Sequence, residues 1–379
     1  MNVPPRILMV AGEASGDLHG GSVVRALRAI APGVEVSGVG GERMRAEGMR
    51  LIHHIHDLAF MGFVEVVRNL STIVTLEREL LAEIEKNRPD VVVLIDYPGF
   101  NLRFAKKAKQ RGLRVLYFIS PQVWAWHKGR VRRMKGIVDR MKVIFPFEVD
   151  IYRREGIDAE FVGHPLAEHI ATSCSREDFA RRHGLDPHRR LLGLFPGSRK
   201  QEIERILPGM AETAALLSTG RDLQVAIGVA PSLGREVIER YLPAGSTFTL
   251  VENGTYDLMA YADAAIVTSG TATLETGWFG TPMVIVYRMA PLTFALGRLL
   301  VDVPFIGLAN IVAGRKVVPE FVQSDFVPQR VAAEVGKLLD DASCAAAMRR
   351  ELSVIKERLG GPGASEKVAR GILALAEAA

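Results

Sequence analysis

The stretch "LGLFPGSRKQEIERIL", residues 192–207, is where the reading of the fold begins. A short apolar run stops at Pro196-Gly197-Ser198-Arg199 and a helical pattern follows, so the segment reads as strand, tight turn, helix. The opening N–H groups of a helix lack internal partners and carry partial positive charge, which suits phosphate. Gly197 lets the backbone come close, and Arg199 matches two phosphate oxygens at once. Taken alone, the same residues read more simply as an N-cap Ser beside an exposed Arg. The rest of the chain has to decide.

The unit recurs along the sequence. In the first half the apolar runs are "RILMVA", "VEVSGV", "VVVLID", "RVLYFIS" and "MKVIFPF". Their continuous apolar character suits strands covered on both faces of a parallel sheet, and the spacers between them are long enough for crossover helices. A polar stretch near 167–190 interrupts the rhythm. A second series follows, "LLGLFPG", "LQVAIGV", "FTLVEN", "AAIVTSG" and "PMVIVYR". With 379 residues, two domains are the natural expectation. The pattern predicts an α/β chain of two doubly wound, Rossmann-like domains facing a cleft, 1–168 and 169–362. A final helix, 363–379, follows a Gly-Pro-Gly break and is free to pack back on the first domain.

Hydrophobic content of 48% and charged content of 24% fit an ordinary globular protein. A net charge of +5 and a pI near 9.2 favour anionic partners: phosphorylated metabolites, acidic lipid surfaces or nucleic acid. The two cysteines, Cys174 and Cys344, provide neither a disulfide framework nor a thiolate metal site, and point to a reducing compartment. The N-terminus enters a strand without a signal-peptide pattern, and no apolar run reaches the roughly 18 residues that span a bilayer. The expectation is a protein that is soluble or lies on a membrane.

Ligands of open parallel sheets sit outside the carboxyl ends of the strands, so the loops there are the candidates. In "AGEASGDLHGG" (11–21), Gly12, Ser15 and Gly16 make a small-residue turn where a substrate can approach the backbone, or simply a tight turn. The dinucleotide spacing is absent there, and "GVGGERM" (38–44) fails it at Arg43. In "IDYPGFNLRFAKK" (95–107), Asp96 ends an apolar strand, either as a general base for an attacking hydroxyl or as a turn-stabilising carboxylate. In "FISPQVWAWHKGRVRRMK" (118–135), Trp124, Trp126 and His127 precede a basic run with Arg130, a set suited to sugars, acyl chains and phosphate. "VTSGTATLETG" (267–277) repeats the logic of the first stretch: Ser269, Gly270 and Thr271 open a helix, and Glu275 lies one turn in. Pyrophosphate at the helix start with ribose hydroxyls on Glu275 would match a nucleotide. Two such loops shift the reading of Ser198 and Arg199 toward phosphate.

In segment 60–81, Phe63, Val66, Val67, Leu70, Ile73 and Val74 form a stripe at helical spacing, widened by Phe60, Met61 and Val64. It reads first as core packing, with an interfacial membrane contact as the alternative. The histidines show no metal-ligand spacing, and neither a D-x-D cluster nor a Walker lysine motif is present. No metal and no cofactor are implied.

Taken together, these stretches resemble the lipid-A-disaccharide synthases, bacterial glycosyltransferases of the GT-B architecture. The matching pieces run in order from residue 11 to about 321: "AGEASGDLHG", "MGFVEV", "IDYPGFN", "SPQVWAWHKGRV", "PFE", "FVGHPLA", "LFPGSRKQEI", "SGTATLE", "MVIVYRM" and "LANIVAGRKVVPEF". The resemblance implies transfer from UDP-2,3-diacylglucosamine to 2,3-diacylglucosamine 1-phosphate, giving a β(1→6) disaccharide 1-phosphate and UDP. It implies Asp96 as base, Ser198, Arg199 and Glu275 on UDP, and Asn310 as a further functional position. It also implies a homodimer on the cytoplasmic face of the inner membrane, which turns the reading of 60–76 toward lipid contact. Other GT-B sugar transferases and UDP-sugar epimerases share the nucleotide loops and are the competing enzymes. A two-lobed binding protein and a nucleic-acid-binding protein are the non-enzymatic alternatives.

Overall fold

Strand β1, Arg6–Ala11, shows why the sheets are parallel and central: Leu8 and Val10 pack into one apolar cluster, Ile7, Met9 and Ala11 into another. A strand covered on both faces has no polar side to offer, and its neighbours are reached by crossover helices. The computed structural model describes residues 4–58, 70–121, 129–290, 294 and 304–378. The chain divides into two compact units, Met1–Glu168 with Gly361–Ala379, and His169–Gly360.

The first unit holds β1, β2 (Glu35–Gly40), β3 (Arg50–His54), β4 (Val91–Ile95), β5 (Arg114–Phe118), β6 (Arg140–Val143) and β7 (Ala159–Phe161). These form one parallel sheet in the order β3-β2-β1-β4-β5-β6-β7. The order reverses between β1 and β4, whose last paired residues are Ala11 and Ile95. The loops after these two strands carry Gly12 and Asp96.

The C-terminal helix Ala364–Glu377 belongs to this unit. It buries Val368, Ala369, Ile372 and Leu375 with Val23, Val24 and Leu27 of the helix Ala14–Ile30. Glu168 fixes its start, accepting the Gly363 and Ser365 N–H groups at 3.3 and 2.8 Å and the Ser365 hydroxyl. A carboxylate there satisfies helix-opening donors and complements the dipole.

The second unit holds β8 (Arg190–Phe195), β9 (Leu223–Gly228), β10 (Thr249–Val251), β11 (Ala264–Thr268), β12 (Met283–Tyr287) and β13 (Glu320–Val322), all parallel, in the order β10-β9-β8-β11-β12-β13. Its reversal lies between β8 and β11, where Phe195 pairs with Val267. The two loops singled out for phosphate therefore leave adjacent strands. The sequence patterns miss β3, β7 and β13. All three are edge strands of three to five residues, and an edge covered less completely has no need of a continuous apolar run.

Candidate functional site

At the reversal point of the first unit, two consecutive residues without the freedom of glycine take left-handed backbone angles: Asp96 at φ 47° and Tyr97 at φ 48°. Such conformations cost on the order of 1–3 kcal/mol each and persist only where the surroundings impose them. Here the Asp96 N–H donates to the Phe118 carbonyl (3.0 Å), and the Asp96 carbonyl accepts from the Tyr117 hydroxyl (2.6 Å) and the Asn101 amide (2.8 Å). Just past the next strand Ile119 is also left-handed, φ 61°, a conformation that a β-branched residue rarely adopts. Strain thus sits at the carboxyl ends of β4 and β5 together.

The Asp96 side chain is half-buried, and burial lifts its carboxyl from 3.8 to about 6, with the charge of nearby Glu13 adding to the rise. A carboxylate that titrates there is ionised at neutral pH yet basic enough to take a proton. The Tyr97 ring lies over Gly12: a Cβ at residue 12 would fall 2.3 Å from its carbons, so only glycine fits. Gly16 is buried against Ala11, whereas Ser15 is exposed at the first turn of a helix that no side chain caps. The first turn of the same helix holds a further buried carboxylate, which the sequence alone did not single out. Asp17 is buried and accepts the N–H groups of Gly41, Arg43 and Met44 at 2.7–3.0 Å, capping the helix Glu42–Ala46. Trp124 and His127 lie outside the described residues, and Arg130 falls on the helix Gly129–Met134.

In the second unit the two phosphate-type loops differ. After β8, Gly197 is left-handed at φ 113°, and Glu202 reaches back to accept the Ser198 and Arg199 N–H groups at 3.2 and 3.3 Å. Arg199, not Ser198, is the N-cap, and its exposed guanidinium bonds Glu202 at 3.2 Å. The donors expected to face phosphate are thus held by the chain's own carboxylate. After β11, by contrast, Gly270 at φ 151° opens the helix Thr271–Trp278 with no side-chain cap, and Thr271 is exposed. Ser269 donates to the Ile306 carbonyl at 2.8 Å, tying this turn to the segment before the helix Leu308–Ala313. Glu275 is half-buried and accepts the Tyr256 hydroxyl at 3.2 Å; burial raises its carboxyl above the usual range, against the pull of that bond.

Asn310 lies on the helix Leu308–Ala313. It is fully buried, and its amide makes four internal bonds: donating to the Val318 carbonyl and Glu320, accepting from the Val317 and Val318 N–H groups, at 2.7–3.0 Å. Its donors and acceptor are thus engaged within the second unit. Glu320 completes the clasp by accepting the Ile306 and Gly307 N–H groups, each at 3.0 Å.

Of the apolar stripe, Phe63, Val64, Val66 and Val67 lie outside the described residues, and Leu70 opens the helix Leu70–Asn87. That helix buries Leu76, Leu80 and Ile84; Ile73 packs partly on the same cluster, while Val74 is 59% exposed. Among the described residues no helix is long and apolar enough to cross a membrane, and no acidic, His or Cys side chains cluster as a metal site. A cavity of about 590 Å³ opens at the other end of the first sheet, where Arg6, Glu35 and Arg50 begin their strands. Arg6 pairs there with Glu35, Arg50 with Glu83, and Arg28 bonds the Gly48 carbonyl, so these three arginines serve the fold.

Two parallel-sheet Rossmann-like domains, each with one reversal of strand order, are the GT-B architecture. The fold matches that of the glycosyltransferase of kitacinnamycin (TM-score 0.67, 16% identity, covering 98% of this chain and 99% of that one). It also matches a UDP-GlcNAc 2-epimerase from Neisseria meningitidis (TM-score 0.66, 12% identity, 97% and 100%), so the fold leaves the reaction open. Sequence narrows it. The family model for lipid-A-disaccharide synthetase matches residues 7–365. The lipid-A-disaccharide synthase of Trichlorobacter lovleyi is 44% identical over 376 residues (99% of this chain, 98% of that one), and that of Syntrophotalea carbinolica 46% over 370 (97% and 94%). The chain belongs to the lipid-A-disaccharide synthase family.

Proposed function

We propose that the protein is an inverting glycosyltransferase that joins UDP-2,3-diacylglucosamine to 2,3-diacylglucosamine 1-phosphate, forming the β(1→6) disaccharide 1-phosphate of lipid A and UDP. Family membership supports the reaction, and the observation that carries the mechanism is Asp96: a strained, half-buried carboxylate poised near pH 6 at a reversal point. An α-linked donor and a β product call for one in-line displacement. Asp96 takes the proton of the acceptor 6-hydroxyl as that oxygen attacks the donor's C1. The bond from C1 to the UDP oxygen breaks, and UDP leaves with its electron pair.

The first unit is then the acceptor domain, with Gly12, Ser15 and Gly16 assigned to the acceptor loop and Trp124, His127 and Arg130 to recognition of sugar and phosphate. The second is the UDP domain. The uncapped turn Ser269-Gly270-Thr271 takes the pyrophosphate, and Glu275 takes the ribose. Ser198 and Arg199 join once phosphate draws them from Glu202, and Arg199 then offsets charge on the departing UDP. Acylated substrates call for apolar contact on an anionic membrane, a role assigned to the apolar sequence around 60–76. In this reading the enzyme acts as a homodimer attached peripherally to the cytoplasmic face of the inner membrane.

UDP release with both diacylated substrates, wild type beside Asp96→Asn, tests this. Disaccharide from wild type and a loss of at least about a hundredfold in the variant, with UDP binding kept, are expected. No product from wild type despite UDP binding would refute the proposed acceptor and move the reading to another sugar.

A further inference from the structure

We infer that Tyr117 and Asn101 are positioning residues for the transfer reaction: their side chains lock the left-handed turn at Asp96 and Tyr97 and so fix where the Asp96 carboxylate stands. The inference rests on Asp96 being the base.

The turn is not one the local sequence would choose. An Asp tolerates the left-handed region better than a Tyr, and two such residues in succession are disfavoured. Yet the Asp96 carbonyl receives two donors, the Tyr117 hydroxyl at 2.6 Å and the Asn101 amide at 2.8 Å, the latter also reaching the Ile95 carbonyl at 3.3 Å. Both residues are fully buried, so neither donor has water as an alternative partner. The Tyr117 ring sits in the apolar cluster with Phe104, Leu94 and Val92, where a phenylalanine would pack equally well. Its hydroxyl is therefore spent on the turn and not on the core. From the other side the turn is fixed by the Tyr97 ring against Gly12, leaving no room for the loop after β1 to change places with it.

Because two donors share one carbonyl, removing the hydroxyl leaves the Asp96 carbonyl bonded and the core filled. What Tyr117→Phe loses is the rigidity of the turn. Small displacements of a reacting group lower the rate steeply, while groups that bind substrate are untouched. The expectation is a fall in kcat of about tenfold with KM for donor and acceptor within about twofold.

A second readout is the pH profile. Among the described residues, the titratable and charged groups around the turn include Glu13 from the loop after β1, Tyr97, Tyr117 with Tyr152 beside it and, facing Tyr97, Arg103. A loosened turn admits water to the carboxylate, so the acid limb of kcat/KM moves below about 6. A merely structural role would reduce the active fraction and leave the limb where it is.

The experiment compares wild type, Tyr117→Phe, Asp96→Asn and the double variant, with kcat, both KM values and the pH profile measured for each active form. Support is the tenfold kcat loss with a shifted limb, and a double variant no slower than Asp96→Asn alone. If Asp96→Asn is inactive while Tyr117→Phe keeps the wild-type kcat and limb, the positioning role is wrong and the base assignment survives. If Asp96→Asn is nearly as active as wild type, the base assignment falls and the inference falls with it. Should Tyr117→Phe fail to fold, Asn101→Ala removes the other donor and is judged by the same outcomes.

Discussion

Asp96 holds a charge where its surroundings disfavour one, and this has a consequence for stability. In the unfolded chain its carboxyl titrates near 3.8, in the folded protein near 6. Below 3.8 both states carry the proton and the residue leaves folding unaffected. As pH rises through the folded value, the native state must release a proton that it holds more tightly than the unfolded chain does. Stability then falls by on the order of 3 kcal/mol. Asp96→Asn keeps the shape without the charge. Urea unfolding is expected to find the variant more stable than wild type at about pH 7.5, with the gap closing by about pH 4. A gap of the same size at both values would remove burial of the charge as its cause. The position of Asp96 was legible, because a carboxylate that ends a continuous apolar run stands at the carboxyl edge of a buried strand. Its strain was not, since the donors that impose it lie five and 21 residues further along the chain.

At the scale of elements, polar residues within the stretches singled out for function hold neighbouring elements in place. Asp17 lies in a stretch read as a substrate contact, yet from the first turn of the helix Ala14–Ile30 it caps a helix 24 residues on. Asn310 joins the helix Leu308–Ala313 to the start of β13, and Glu320 carries the clasp to Ile306 and Gly307. Such roles depend on which elements the sheet brings together, and spacing along the chain does not encode that. Glu202 is different: it lies three residues after the N-cap Arg199, the spacing of a capping box, so its reach back to the loop was readable.

The clasp gives a test. Asn310→Ala leaves the Val317 and Val318 N–H groups and part of Glu320 without partners in a buried place. The expected loss is about 2–4 kcal/mol in unfolding of the second unit, with weaker UDP binding as its consequence. Denaturant unfolding and UDP titration calorimetry on one preparation separate the possibilities. Unchanged stability with UDP binding abolished would make Asn310 a direct ligand after all.

At the scale of the whole molecule, the two-domain plan was readable from repeated apolar runs and phosphate-type turns, because parallel strands buried on both faces tolerate little else. The chain's return to the first unit is the feature whose energetics the sequence leaves open, since a Gly-Pro-Gly break says only that a helix stops. The structure gives that return a physical basis. Val368, Ala369, Ile372 and Leu375 fill the layer beneath Val23, Val24 and Leu27, and Glu168 caps the incoming helix. Fully burying an aliphatic side chain contributes roughly 1.5–3 kcal/mol, so the larger three approach the whole stability of an ordinary domain. Deleting residues 361–379 should therefore unfold the first unit and spare the second. Hydrogen exchange on the truncated protein reads the two separately: amides of β1, β4 and the helix Ala14–Ile30 are expected to lose protection, while those of β8 and β11 keep theirs. UDP titration gives a matching readout, because binding should persist while disaccharide synthesis stops. If β1 and β4 stay protected after truncation, the last helix is an accessory to a core that stands without it, and the stability assigned to its buried face is wrong.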